Sequence, residues 1–115
     1  MMKLDVGEVV GVHCIASEDG EQVFERVQAA LERGDDRVVL DFGSVEIFAS
    51  PFFNAVVGAL MEAYSADEIN ARVEFANLSG DGSAVLQRVI ENARDYYTHP
   101  KMREYYDHRA DDSLG

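Results

Sequence analysis

The 115-residue chain carries 22 Asp and Glu against 10 Lys and Arg, a formal net charge of −12. That balance argues against a sequence-independent grip on nucleic acid, where basic side chains displace counterions from phosphates, and against anionic membrane surfaces. A 47% apolar content is too high for a disordered chain, and the one cysteine, Cys14, excludes an internal disulfide and every multi-cysteine zinc motif.

The length suits one domain. Residues 1–14 lack the basic start and long apolar run of a signal peptide. The longest apolar tract, residues 47–61, is broken by Ser50, Pro51 and Asn54 and is too short to span a bilayer. The expectation is a soluble cytoplasmic domain that meets neither membrane nor nucleic acid. Charge is uneven along it: residues 1–71 hold only Lys3, Arg26, Arg33 and Arg37 as basic side chains, so acidity concentrates in the first helix and its flanks.

β-Branched side chains over residues 9–15 predict a strand, with residues 2–6 as a short hairpin partner turning at Gly7 and Glu8. Next, Val23, Phe24, Val27, Ala30 and Leu31 recur at helical spacing. Ser17 or Asp19 is the expected cap of that helix, and Gly34 its stop. Residues 37–42 form a short, continuously apolar run with Asp41 near its end, as in a central strand buried on both faces. After a connection through Val45, Ile47 and Phe48, Ser50 at the N-cap and Pro51 at the first helical position open a helix running to about Tyr64. It is apolar almost all round, which predicts deep burial, and Gly58 inside it suggests a close approach to a neighbour.

Residues 72–76 alternate like a strand, and residues 77–83 read as a polar turn with Ser79 or Asp81 as caps. A helix follows through Val85, Leu86, Val89, Ile90 and Ala93. The tail from Tyr96 is amphipathic and aromatic; Pro100 opens a short last helix and the chain frays beyond Arg109. The order of strands and helices predicts an α/β fold, a small mixed sheet with helices packed on it, as one domain over residues 1–110 with a frayed tail at 111–115.

Ser50 is the principal candidate residue. Helix capping accounts for a hydroxyl there, and the same position suits a phosphate, because free N–H groups and the positive helix end stabilise added negative charge. Asn54 lies one turn on, and a polar amide in an apolar helix calls for a hydrogen bond to the loop or a ligand. Asp41, Asn77 and Ser79 are expected at the same sheet edge, the carboxyl edge where α/β sheets bind ligands. His13, His99 and His108 lack metal-ligand spacing, and His13 and Cys14, as strand neighbours, face opposite ways. Gly80-Asp81-Gly82 is not a P-loop and no Gly-x-Ser-x-Gly occurs, so no catalytic residue, metal or cofactor is expected. The interleaved aromatic and basic side chains of residues 96–106 could stack on single-stranded nucleic acid, but against this net charge they favour helix packing or an interface.

Taken as one unit, residues 38–54 join a strand ending Leu40-Asp41-Phe42, a loop through Val45, and Ser50-Pro51-Phe52-Phe53-Asn54 at the start of an apolar helix. This resembles the STAS domain of anti-sigma-factor antagonists and, more specifically, the STAS-like bacterial family of unknown function DUF4325. Asn77-Leu78, residues 89–93 and Tyr96-Tyr97 are similar to its second half, so the resemblance spans roughly residues 7–97. It implies a non-enzymatic switch module. In such antagonists a Ser at this helix start is phosphorylated by a kinase-like ATPase partner, which the unmodified form holds and the phosphorylated form releases. Ser50 matches that Ser. Ala49 replaces the Asp that commonly precedes it, and Pro51-Phe52 the Ser-Gly that follows, so a kinase reading the usual surface meets a different one.

The expectation is therefore a regulatory module that binds a protein partner, a kinase-like ATPase foremost, through Asp41, Ser50, Phe52, Asn54, Asn77 and Ser79. The alternative is a small-ligand or nucleotide sensor using Asp41, Ser50, Asn54 and Asn77 at the sheet edge. A third reading is a homodimer built on the Tyr-rich tail.

Overall fold

A computed structural model describes residues 1–98. In chain order the elements are β1 (Met2–Asp5), α1 (Val6–Val10), β2 (His13–Cys14), α2 (Ser17–Arg33), β3 (Val38–Asp41), β4 (Ile47–Phe48), α3 (Ser50–Ala63), α4 (Ala66–Arg72), β5 (Val73–Ala76) and α5 (Gly80–Thr98). Three strands form a parallel sheet in the order β1-β3-β5, with Asp5, Asp41 and Ala76 in register at its carboxyl edge. β2 and β4 make a separate two-stranded parallel pair, His13 against Ile47 and Cys14 against Phe48. The architecture is an α/β, STAS-like layer of small sheet and flanking helices, as the sequence predicts. Every strand pairing among the described residues is parallel.

The amino-terminal prediction needs correction. Residues 9–15 are not one strand: Val9 and Val10 end α1, and only His13 and Cys14 are extended and paired. Asp5 nucleates that helix, its Oδ1 accepting the Glu8 N–H at 3.3 Å. The first strand is no hairpin partner either, because it pairs in parallel with β3, from Met2 beside Val38 to Asp5 beside Asp41. α4 was not anticipated, although Ser65 caps it, its hydroxyl accepting the Glu68 N–H at 3.2 Å and donating to Glu68 Oε1 at 3.3 Å.

β3 is the central strand, but only one of its faces is sealed. Val38, Leu40 and Phe42 are buried, whereas Val39 and Asp41 are half-buried. The expected burial on both faces is thus replaced by a sheet with one packed face and one face carrying Lys3, Asp5, Asp41 and Glu74. Ion pairs cross that open face, Lys3 to Asp41 at 3.4 Å and Arg37 to Glu74 at 3.1 Å.

The core joins the packed sheet face to α2, α3 and α5. Phe42 is its hub, touching Phe48, Phe52, Phe53 and Phe75, with ring centroids 5.7–6.3 Å apart. α3 is buried through Phe52, Phe53, Val56, Val57 and Leu60, as its apolar composition predicts. The close helix approach lies elsewhere than expected: among the described residues, and apart from the helix's own backbone, nothing stands within 4 Å of a Cβ built on Gly58, whereas one on Gly20 of α2 would collide with the Phe52 carbonyl and lie 2.8 Å from Ala55 Cβ. Gly20 is the residue that lets α2 lie against the first turns of α3. α2 ends as predicted, with Gly34 left-handed at φ 104° and its N–H on the Leu31 carbonyl. Arg72 then ties the β5 side of the molecule to that helix end, donating to the carbonyls of Leu31 and Asp35 at 3.2 and 2.6 Å. The predicted last helix at Pro100 and the fraying beyond Arg109 lie outside the described residues.

Candidate interaction site

The site is built by the β2–β4 pair. Because these strands run side by side in parallel, each delivers the chain to a helix start beside the other, β2 through Ile15 and Ala16 to α2, β4 through Ala49 to α3. The Ala49 N–H donates to the Cys14 carbonyl at 2.9 Å, which extends the pairing to the edge of α3. The N-caps are Ala16 and Ala49, neither able to cap with a side chain. Ser17 and Ser50 are the first helical residues, and Pro51 falls at the second position. The expected capping roles of Ser17, Asp19 and Ser50 are therefore corrected. β4 hands the chain over one residue earlier, so the hydroxyl of Ser50 sits inside the helix and cannot accept from its own first turn.

This leaves α3 with an unusual start. α2 has Glu18 and Asp19 in its first turn, α1 has its Asp5 cap and Glu8, α4 its Ser65 cap with Asp67 and Glu68, and α5 has Asp81. Ser79 also accepts the Gly82 N–H of α5 at 3.2 Å, fulfilling its predicted capping role. α3 has neither a side-chain cap nor an acidic residue in its first turn. Its positive end has no compensating charge or cap from its own first turn.

Around that end the surface is mixed. Ser50 is half-buried, Pro51 and Asn54 are exposed, and no hydrogen bond to the Ser50 hydroxyl or the Asn54 amide is found among the described residues. The loop hydrogen bond expected of Asn54 is thus not made. Phe52, predicted as a contact residue, is fully buried in the core and offers nothing to a partner. Apolar side chains that the sequence did not mark instead lie open on and beside the β2–β4 pair: Val12, Ile15 and Ile47 are 41%, 44% and 46% exposed. For Val12 and Ile15 the signal was the same β-branched run that reads as a strand. A two-residue strand at the rim has an outer face with nothing packed over it.

The polar groups at the carboxyl edge of the three-stranded sheet form a separate cluster. Asp41 Oδ1 accepts from the Gly43 N–H at 2.8 Å and from Asn77 Nδ2 at 2.9 Å, and Lys3 Nζ lies 3.4 Å from Oδ2. These donors, the Asn77 amide first and the Gly43 N–H next, hold the Asp41 carboxyl below the usual carboxylate range. Asn77 adopts a left-handed backbone at φ 59° to turn the chain from β5 toward α5. Asp5 engages Ser44 at 3.1 Å in the same way. Asp41 and Asn77 are therefore brought together as expected, but they satisfy one another. No hydrogen bond among the described residues links them to Ser50 or Asn54.

Cys14 is fully buried and its thiol is pushed up to about 12, by burial first and the Asp19 charge second, while the neighbouring His13 is exposed. Among the described residues no three His, Cys, Asp or Glu side chains are placed to hold a metal ion, and no helix is long and apolar enough to cross a membrane.

A small parallel sheet flanked by helices is the α/β layer of a STAS-like domain. The comparison with known families agrees: the family model of the STAS-like domain of unknown function (DUF4325) matches residues 19–83, more than half of the chain, and the protein belongs to that family. The match covers α2 through the first turn of α5, including Ser50, and is narrower than the span over which the sequence resembles the family. No curated protein and no solved structure matches the chain.

Proposed function

We propose that this domain is a non-catalytic, cytoplasmic protein-interaction module that docks a partner on the ledge formed by Val12, Ile15, Ile47, Pro51 and Asn54, with phosphorylation of Ser50 as its control. The observation that carries the reading is the start of α3, alone among the described helices in having neither a side-chain cap nor an acidic first turn. A phosphate on Ser50 adds about 1.5–2 negative charges at that end. Contact with a bare helix N-terminus stabilises an anion by roughly 0.3–1 kcal/mol when exposed and up to ~2 when partly buried. The modified state is therefore compatible with the fold. The ledge supplies the docking energy: covering three half-exposed β-branched side chains contributes about 1 kcal/mol each.

The charge also sets the direction of control. Glu18 and Asp19 already stand at the neighbouring helix start. Phosphate on Ser50 concentrates negative charge on one face, which repels an acidic docked surface and holds a basic one tighter. A kinase-like ATPase is the partner class that the family resemblance favours, and it would also supply the phosphoryl group.

The test is affinity for a partner captured from the native cells, measured with Ser50→Ala, Ser50→Glu and Ile47→Asp. Ile47→Asp should weaken binding by about 2 kcal/mol, roughly 30-fold, as expected for a central contact. Ser50→Glu should change affinity several-fold, while Ser50→Ala stays close to wild type. Equal affinities for all four proteins would refute the docking face and the switch together.

A further inference from the structure

β1 stands at one end of the three-stranded sheet, and among the described residues no strand pairs with its outer edge. The Met2 N–H donates to the Arg37 carbonyl at 2.9 Å, so Met2 and Leu4 turn their backbone groups toward β3. By alternation the Lys3 N–H and C=O and the Asp5 N–H point outward, and no partner for them is found among the described residues. An unpaired edge of this kind is a template for another strand. We propose that a second copy of this chain pairs with it, β1 antiparallel to β1 about a twofold axis at Leu4, which joins the two sheets into one.

Charge complementarity points to that occupant. Leu4 is buried on the packed face of the sheet, and Lys3 and Asp5 stand on the open one, the Lys3 side chain 63% exposed. Antiparallel registers that match the outward backbone groups set Lys3 against Lys3, Asp5 against Asp5, or Lys3 against Asp5. The first two put like charges directly across the seam, with Cβ atoms about 4.5–5.5 Å apart. The third puts opposite charges there on both sides of the axis. It also brings Leu4 beside Leu4, so that the packed faces of both copies lie on one side. A second observation concerns Asp5. It is in register with Asp41, and Lys3 turns to Asp41 at 3.4 Å. Among the described residues Asp5 meets only neutral donors, the Glu8 N–H at 3.3 Å and the Ser44 hydroxyl at 3.1 Å. Lys3 of a second copy supplies the cation that Asp5 lacks. The seam is short and each chain carries a net charge of −12, so the association is weak and concentration-dependent. The proposal uses nothing of the Ser50 face, and the two stand or fall separately.

The experiment mixes 14N- and 15N-labelled full chain at about 0.15 M salt, where a Debye length of ~8 Å screens the overall repulsion but not a contact pair. A water-soluble carbodiimide then couples amines to adjacent carboxylates, and the linked peptides are identified by mass spectrometry. Light scattering follows the mass over a concentration series. The expected result is a Lys3–Asp5 linkage joining one light and one heavy chain, with a mass that rises toward a dimer on concentration. Lys3→Glu should abolish the rise and Lys3→Arg should keep it; the wild-type linkage decides even if Lys3→Glu fails to fold. Lys3 linkages confined to single chains, or a mass that stays monomeric throughout, would overturn the proposal. So would a dimer that survives Lys3→Glu, since another surface would then hold it.

Discussion

Two glycines inside helices make opposite predictions. Gly20 of α2 and Gly58 of α3 both lower helix propensity, by roughly 1 kcal/mol relative to Ala. Their surroundings differ: a methyl group on Gly58 meets no described residue outside its own helix backbone within 4 Å, whereas one on Gly20 runs into the Phe52 carbonyl and comes within 2.8 Å of Ala55 Cβ. Neither obstacle can swing away, because one is helix backbone and the other a β-carbon. Gly20→Ala must therefore push α2 off the start of α3, an overpacking cost of about 1–3 kcal/mol that outweighs the propensity gain in most of its range. The net expectation is a loss of up to about 2 kcal/mol for Gly20→Ala and a gain of up to ~1 kcal/mol for Gly58→Ala. For a domain of this size, 1 kcal/mol moves Tm by roughly 4 °C. Gly20→Ala should thus melt below wild type, by up to about 8 °C, and Gly58→Ala up to about 4 °C above it, with urea m-values unchanged. A Tm for Gly20→Ala at or above wild type would refute the placement of α2 against α3, and with it the side-by-side helix starts.

Other consequences can be checked on the purified domain. Ser50 makes no cap, so Ser50→Ala should cost less than ~0.5 kcal/mol in urea unfolding, where loss of a true cap costs about 1; Ser50→Glu should stabilise by about 0.3–1 kcal/mol by complementing the bare helix end. Asp41 is held low chiefly by the Asn77 amide, and Asp35 chiefly by its hydrogen bond from Arg33. A carboxyl whose folded pKa lies below its unfolded value of about 3.9 contributes its full stability above that pH and loses it as pH falls through the folded value. Acid titration of Tm should show this loss below about pH 4, and a shallower loss in Asp41→Asn. Cys14, buried and with its thiol near 12, should react with a thiol reagent only upon unfolding, so labelling at pH 8 should follow the urea transition; fast labelling of native protein would contradict its burial. Phe42→Ala removes the ring that joins four other aromatics and should cost about 3–5 kcal/mol.

The layer order was legible because α2, β3, α3 and α5 each carry a hydrophobic pattern that local and tertiary preferences share. The errors fall where those preferences conflict. Val9, Val10 and Val12 favour a strand by side-chain type, yet Asp5 and Glu8 start a helix there, and packing against α2 keeps it. α4 had its signal in Ser65, an N-cap three residues before Glu68, too close to the end of the apolar helix to stand out. The continuous apolar run of β3 predicted two covered faces, but burial of Val39 is partial because charged side chains from β1 and β5 flank it across the open face. At the candidate site the sequence singled out Ser50 and Asn54, both of which stand at the helix mouth, the one half-buried and the other open. It could not find the ledge, since exposure of Ile15 and Ile47 depends on which strand pair lies at the rim. Nor could it tell that Phe52 points inward, because Ser50-Pro51-Phe52 opens the helix one residue earlier than cap preference suggests.

The docking face at the start of α3 is tested most directly by site-specific photo-crosslinking in the native cells. A benzophenone side chain in place of Asn54 is compared with one in place of Glu74, which lies on the open sheet face away from the ledge. A partner docked at the start of α3 gives a discrete crosslinked protein from position 54, none of that mass from position 74, and a several-fold change in its yield when Ser50 is also replaced by Glu. Crosslinks from position 74 alone, or a yield at position 54 indifferent to Ser50→Glu, would contradict that docking face.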